Sequence, residues 1–282
     1  MAPMQIYSPS RTKEFAQCPL LMRLNYDEGY QLRDQTTTKS GPTMAAGSAI
    51  SRAAELISKG VNPDLVSLAV MDQYDDNIAA SLDAGIQFNE THTLDTALAL
   101  NRAVIRLCGE WPILFNGWTI RDQERPFPEH GNARPDLVGV DPSGVLSVVD
   151  FKFKVDLAAS YRESTLQDYE NDWQMYHYLW AGSEYYGQPI YRYYICLVVG
   201  NARGKTELIP YEAHPETMAM WLASAKQIWS DMEGVSNGTR TPTMAALHRT
   251  RYGLCSMYKA CFKYHLDPGL MASDYVQIER KR

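Results

Sequence analysis

Long apolar runs are missing from this 282-residue sequence. No stretch reaches the roughly 18 to 20 consecutive apolar residues that a membrane-spanning helix requires. Met1 to Tyr7 carries neither the basic lead nor the apolar core of a secretion signal, so a cytoplasmic setting is expected. Cysteine is scarce. Five residues do not make a disulfide-stapled miniprotein, and they read as reduced thiols or metal ligands. Biased tracts and internal repeats are absent, and 45% hydrophobic with 21% charged residues is the content of a folded chain, not of a disordered tail or a fibre. Also absent are a Gly-x-x-x-x-Gly-Lys-Ser/Thr phosphate loop, a Gly-x-Ser-x-Gly elbow and a His-Glu-x-x-His helix. Any helicase or ATPase function would have to come from a partner.

Charge is present but unevenly placed. The net charge is −6, yet from Arg240 to Arg282 eight Lys/Arg face three Asp/Glu, a local balance of +5. An acidic protein can still bind phosphates through such a segment. A merely solvated basic tail is the competing reading.

The order of elements begins with helices. Ser8 or Ser10 can cap a short helix with Phe15, Cys18, Leu21 and Met22 at helical spacing. A polar loop over about 34–43 precedes a helix over 45–58 that ends before Gly60. Two more helices are expected over about 64–83 and 94–111. After Pro112 the segments 118–125, 133–140 and 145–153 are short and rich in β-formers. Asp141-Pro142-Ser143-Gly144 marks a turn between the last two, as in an antiparallel meander. One aromatic helix over 166–186 follows, then strands over 191–199 and 206–211 and a helix over 215–232. The tail reads as irregular. The whole predicts one α/β domain over 1–282: a helical portion to about 112, a core over about 113–233, and a basic tail over about 234–282.

Chemistry concentrates in two of the strands. Asp136 stands near the start of one, and Asp150 and Lys152 lie two apart on the next, so they project to the same face. Val148, Val149, Phe151 and Phe153 flank them, and charges in such a setting are costly without a compensating ion. A hard divalent cation would compensate: carboxylate oxygens suit Mg²⁺ or Mn²⁺. Lys152 would then position a water or stabilise phosphate charge. The bland alternative is an Asp150–Lys152 ion pair at a strand edge with Asp136 in a turn.

These residues resemble the signature of the PD-(D/E)XK nuclease superfamily, with Pro135-Asp136 as the "PD" and Asp150-Phe151-Lys152 as the "DXK". Outlying motifs are similar to its RecB-like exonuclease branch, which includes CRISPR adaptation nucleases and phage recombination exonucleases. Ser10 to Pro19 resembles that branch's "S-x-x-x-x-F-x-x-C-P" opening, Gly47 to Ile50 the start of its first core helix, and Gln174 with Tyr178 its "Q-x-x-x-Y". The resemblance implies a restriction-endonuclease-like core, a mixed β-sheet flanked by helices. It also implies a metal-dependent exonuclease acting on DNA ends or single strands in recombination, repair or phage DNA metabolism, within a bacterial or phage-infected cytoplasm. By the same resemblance Asp136, Asp150 and the Phe151 carbonyl hold the metal, Lys152 orients water, Gln174 bonds near the scissile phosphate and Tyr178 supports it. A helicase or recombinase partner would fit that setting.

Two departures from the family stand out. Ser51 occupies the position where a metal-binding histidine is common, so Glu55, one turn on, or Glu124 would have to substitute, or the site has lost catalysis. Many members hold an iron–sulfur cluster on four cysteines. Here Cys18, Cys255 and Cys261 match, Tyr252 stands near the expected fourth, and His248 could complete an iron–sulfur or Zn²⁺ site. Otherwise the three thiols are reduced remnants where the chain ends pack. Cys108 and Cys196 fit core positions, and His177 reads as a packing histidine. Arg249, Arg251 and Lys154 are candidate DNA contacts, as are Arg162, Arg11 and Lys13, each also explicable as a solvated charge. Two rival functions remain: a catalytically inactive module that binds DNA or a protein, and a structure-specific endonuclease.

Overall fold

The fold was analysed in a computed structural model, which describes residues 8–35, 40–170, 172–243, 249–250 and 253–278. Helices α1 (Pro9–Gln17) and α2 (Pro19–Met22) come first, followed by the short strand β1 (Tyr30–Leu32). Three long helices follow: α3 (Ser40–Ser58), α4 (Pro63–Asp83) and α5 (Glu90–Leu114). The cap residues explain two of their starts. Asn62 accepts from Asp64 N and Asn89 accepts from His92 N, each satisfying a first-turn donor. Helix α3 begins earlier than the polar composition of 34–43 suggested, because Gly41 and Pro42 are tolerated in a first turn. Pro112 likewise lies inside α5, two residues before its end, rather than stopping it.

The central sheet is built from β2 (Thr119–Gln123), β3 (Leu137–Val140), β4 (Leu146–Lys154), β5 (Arg192–Val199) and β6 (Thr206–Glu212), in that spatial order. The β2–β3–β4 meander and the β5–β6 hairpin are antiparallel, and β4 pairs with β5 in parallel. The sheet is therefore mixed, with helices on both faces, as in a restriction-endonuclease-like core. Between β4 and β5 the chain forms α6 (Ala159–Glu170) and α7 (Trp173–Tyr186) instead of one helix over 166–186. Asp172 breaks the run by capping α7: its carboxylate accepts from Gln174 N at 3.0 Å.

Strand alternation divides the core. Leu137, Val149, Phe151, Phe153, Cys196 and Val198 pack towards α3, α4 and α5. Val138, Val148, Tyr193, Ile195 and Leu197 pack towards α7, whose Met175 and Leu179 are fully buried. Cys196 is thus core, and Cys108 is half-buried at its margin. The aromatic face of α7 packs further against α8 (Pro215–Ser236), where Trp221 and Trp229 meet α1. The Trp229 indole N–H donates to Thr12 Oγ1 at 3.0 Å.

The tail is not irregular. Around β7 (Arg249–Thr250) and β8 (Gly253–Leu254) follow α9 (Tyr258–Phe262), α10 (Pro268–Met271) and β9 (Tyr275–Gln277). Strand β9 pairs antiparallel with β1, and Met257, Tyr264, Met271 and Tyr275 bury against Leu20, Leu24 and Tyr30. These pieces are too short to show a period, so composition alone hid them. Among the described residues, no helix is long and apolar enough to cross a membrane.

The β3–β4 turn is tied by Asp141. Its carboxylate accepts from Ser143 N at 2.8 Å, Val145 N at 3.1 Å, Tyr194 Oη at 2.9 Å and Arg192 Nη1 at 3.0 Å. Burial opposes its charge, but these donors outweigh burial and hold the carboxyl well below the usual range. Asp141→Ala should lower unfolding free energy by about 3 kcal/mol, since it strands buried donors and a guanidinium. A lowered carboxyl contributes fully above its unfolded value of about 4 and loses that contribution as pH falls further. The deficit of the variant, read from urea midpoints, should therefore shrink only below about pH 4. Equal midpoints at pH 7 would show that the knot is idle.

Candidate active site

Strand β4 outruns β3. Their pairing ends at Leu137 opposite Val149, so the next inward-turned amide of β4 has no strand carbonyl to meet. The Asp136 carboxylate takes that place: Phe151 N donates to Asp136 Oδ2 at 2.6 Å. Beyond this junction the pleat of β4 turns Asp150 and Lys152 to the α7 side, where side chains of that helix meet them. Lys152 Nζ lies 2.6 Å from Asp150 Oδ2 and 3.5 Å from Gln174 Oε1, and Gln174 Nε2 donates to Tyr178 Oη at 2.6 Å. Asp150, Lys152, Gln174 and Tyr178 thus form a continuous polar line across a face that is otherwise core.

The electrostatics of this line are unusual. Asp150 is 3% exposed, and its Oδ2 is paired with the Lys152 ammonium. Burial pushes the carboxyls of Asp136, Asp150 and Glu124 upwards. At Asp136 repulsion from Asp150 and Glu124 adds to that rise, and at Asp150 Lys152 opposes it. Burial works against the charge of Lys152, but Asp150, then Asp172 and Asp136, hold its ammonium above the ordinary range. The Tyr178 hydroxyl, buried beside these carboxylates, stays protonated. This is a site where acids disfavour their own ionisation while a fixed cation stands next to them.

The polar line opens into a cleft of about 720 Å³. One wall comes from α3 (Gly47, Ser48 and Ser51), another from the start of α1 (Ser8 to Ser10), and the rim carries Arg52 and Arg134. Ser51 donates to the carbonyl of Gly47 at 3.4 Å and is turned back into its own helix. Glu55 lines the cleft but is engaged by Arg52 and Lys59. Burial would raise its carboxyl, yet the contacts from those two side chains win and hold it low. Glu124 lies nearer the pair: its carboxylate interacts with Asp136, and its backbone N donates to Asp136 O at 3.1 Å.

Other expected residues fall elsewhere. Lys154 lies over the Tyr169 ring at 5.9 Å, Lys13 pairs with Asp172 at 3.1 Å, Arg162 with Glu207 at 2.6 Å and Arg11 with Asp27. His177 is 1% exposed against Trp180, Trp221 and Trp229. Burial pushes its ring down to about 4 against the opposing contact with the His130 carbonyl at 3.0 Å, so it is a neutral packing residue. His248 and Arg251 lie outside the described residues, as does the side chain of Arg249. Cys18, Cys255 and Cys261 meet in the cluster that joins the chain ends. Cys18 Sγ caps α2 by accepting from Leu21 N, and burial pushes the other two thiols up. Among the described residues no three His, Cys, Asp or Glu side chains converge closely enough to enclose a metal ion.

Two participants were not anticipated. Asp172 acts at a distance on Lys152 and Asp150, and an Asp two residues before Gln174 is a helix-start signal that the aromatic run obscured. Arg134, adjacent to Pro135-Asp136, pairs with Glu124 at 2.9 Å.

A family model of the PD-(D/E)XK nuclease superfamily matches residues 6–261. No curated protein matches the chain. A solved "Putative exonuclease" from Eubacterium rectale is 14% identical, covers 87% of this chain and 86% of its own, and superposes with a TM-score of 0.47.

The carboxylate pair yields a stability test. Asp136→Asn keeps an acceptor for Phe151 N and removes a charge that burial and its neighbours oppose. It should raise the melting temperature in EDTA by roughly 2–4 °C, the shift that about 1 kcal/mol produces at this size. A raised carboxyl carries its penalty only once pH exceeds the unfolded value of about 4, so the gain should vanish below that pH. Millimolar Mg²⁺ or Mn²⁺ should raise the melting temperature of the wild type further, and that rise should be lost in the variant. A variant that melts lower, with an intact cation response, would refute this account.

Proposed function

The chain belongs to the PD-(D/E)XK nuclease superfamily, and on that premise we propose that it is a Mg²⁺- or Mn²⁺-dependent deoxyribonuclease that hydrolyses phosphodiester bonds at DNA ends or in single strands. The observation that carries the reading is the buried line Asp150–Lys152–Gln174 with Asp136 beside it, opening into a cleft. The preference for ends, and a role in recombination, repair or phage DNA metabolism, rest on the ordered motifs of the RecB-like branch.

The donors present suit a hard cation. Asp136 and Asp150 offer buried carboxylate oxygens, Glu124 lies beside Asp136, and Phe151, whose carbonyl the family resemblance adds to the set, lines the same cleft. When bound, such a cation neutralises phosphate charge and makes a coordinated water more acidic. Lys152, held charged by Asp150, is unsuited to accept a proton. Its part is to donate hydrogen bonds to the incoming water and to the oxygens of phosphorus as negative charge builds there. Gln174 fixes the ammonium from behind, and Tyr178 fixes Gln174, so the donor is aimed before substrate arrives. In the reaction a water oxygen bonds to phosphorus while one P–O ester bond breaks, leaving a phosphate monoester and a free hydroxyl.

A second reading has one observation in its favour. Ser51, turned into its own helix, offers nothing in place of the family's histidine, as in a retired nuclease that only binds DNA or a protein. End-labelled linear DNA and covalently closed circles, incubated with Mg²⁺, Mn²⁺ or EDTA, separate the possibilities. Metal-dependent loss of linear DNA is expected, lowered at least about 100-fold by Asp150→Ala and by Lys152→Ala. Cutting of the circles would instead make it an endonuclease. A wild type inert with every metal would leave the binding module.

A further inference from the structure

The cleft contains a cation that the hydrolysis scheme above does not use. Of its positive groups, Lys152 is committed to Asp150 at 22% side-chain exposure, and Arg52 shares Glu55 with Lys59. Arg134 differs. Its side chain is 62% exposed at the rim, and its Nε meets Glu124 Oε2 at 2.9 Å. Glu124 is itself beside Asp136, among the oxygens proposed to hold the cation.

The loop between β2 and β3 is built to make this meeting. Phe127 N donates to the Ala133 carbonyl at 2.8 Å, and Phe127 is 1% exposed, which closes the loop. Glu124, at its base, has φ 46°, a left-handed conformation that a residue other than glycine keeps only when its surroundings hold it there. Arg134 is placed across from it, two residues before Asp136. A guanidinium matches phosphate oxygens with paired donors, and an exposed one at the mouth of an acidic cleft offsets the repulsion a DNA backbone would meet there.

We propose that Arg134 grips a backbone phosphate of the DNA strand entering the cleft, and that Glu124 holds it in reserve until a divalent cation draws on that carboxylate. The inference rests on the nuclease reading and adds a coupling to it. Glu124 cannot serve Arg134 and the cation at full strength together, so cation and DNA each favour binding of the other, by the same factor in both directions.

Fluorescence anisotropy of a labelled single-stranded oligonucleotide, in EDTA or in Ca²⁺ to limit cleavage, tests this. Wild type should bind about tenfold tighter in Ca²⁺. Arg134→Ala should lose most of that gain, and its salt dependence in Ca²⁺ should be shallower by about 0.7 in log–log slope, the signature of one lost phosphate contact on a single strand. Arg134→Lys should recover part of the affinity. Glu124→Gln should bind tighter than wild type in EDTA, and the Glu124→Gln/Arg134→Ala double variant should bind no tighter than Arg134→Ala alone, whereas a simple change of cleft charge would give the same gain in both backgrounds. Without DNA, Arg134→Ala should bind Ca²⁺ a few-fold more tightly by calorimetry. Wild-type affinity and slope in Arg134→Ala, or no gain in Glu124→Gln, would overturn the inference while leaving DNA cleavage by the wild type untouched. If the wild type binds no oligonucleotide with or without Ca²⁺, the nuclease reading falls with it.

Discussion

The hydrogen bond from Phe151 N to the Asp136 carboxylate is the constraint on which the rest of the site depends. A strand that runs past its neighbour leaves a backbone donor needing an acceptor. Filling that need with a side chain instead of a carbonyl puts an acid just before the start of β3, across from the Asp150 stretch of β4. Everything downstream inherits the geometry. Lys152 falls on the same face as Asp150, Gln174 reaches it from α7, and the cleft opens beside the start of β3. The same carboxylate is therefore a piece of sheet architecture and a member of the candidate site.

Two aspartates of one meander show how environment separates structure from chemistry. Asp141 collects donors from the turn and from β5, and its negative charge is satisfied on every side. Asp136 and Asp150, a few residues away, face each other and an apolar shell, and each resists ionisation. The first arrangement stabilises the fold and does nothing else. The second costs stability, and such a cost persists in folded proteins mainly at sites that use it. The buried ammonium of Lys152 limits the cost without removing it.

Legibility in the sequence followed the same divide. The alternation of Val148, Val149, Phe151 and Phe153 around Asp150 and Lys152 declared both the strand and its anomaly, and Asp141-Pro142-Ser143-Gly144 declared the turn. The break at Asp172 did not show, because aromatic residues on both sides mimic one continuous apolar face. The tail hid for another reason: α9, α10 and β9 are three to five residues long, and Met257, Tyr264, Met271 and Tyr275 lie in or beside separate short pieces that bury against Leu20, Leu24 and Tyr30. Arg134 was invisible as a participant because its partner lies ten positions away across a loop whose closure depends on Phe127. Long-range pairings of that kind leave no trace in a local pattern.

The pairing of β1 with β9 has a consequence for the order in which the protein is assembled. Strand β1 follows directly on the helices whose first residues form one wall of the cleft, yet its partner is synthesised after every strand of the central sheet. During translation the meander, its acids and its lysine can emerge and pair among themselves while β1 still waits. Closing so long a loop is slow compared with forming a hairpin. A nascent chain could then dock α1 on α7 and α8, beside the buried carboxylates, while β1 is still unpaired, and closure of the fold at that end would be timed by the arrival of Tyr275–Gln277.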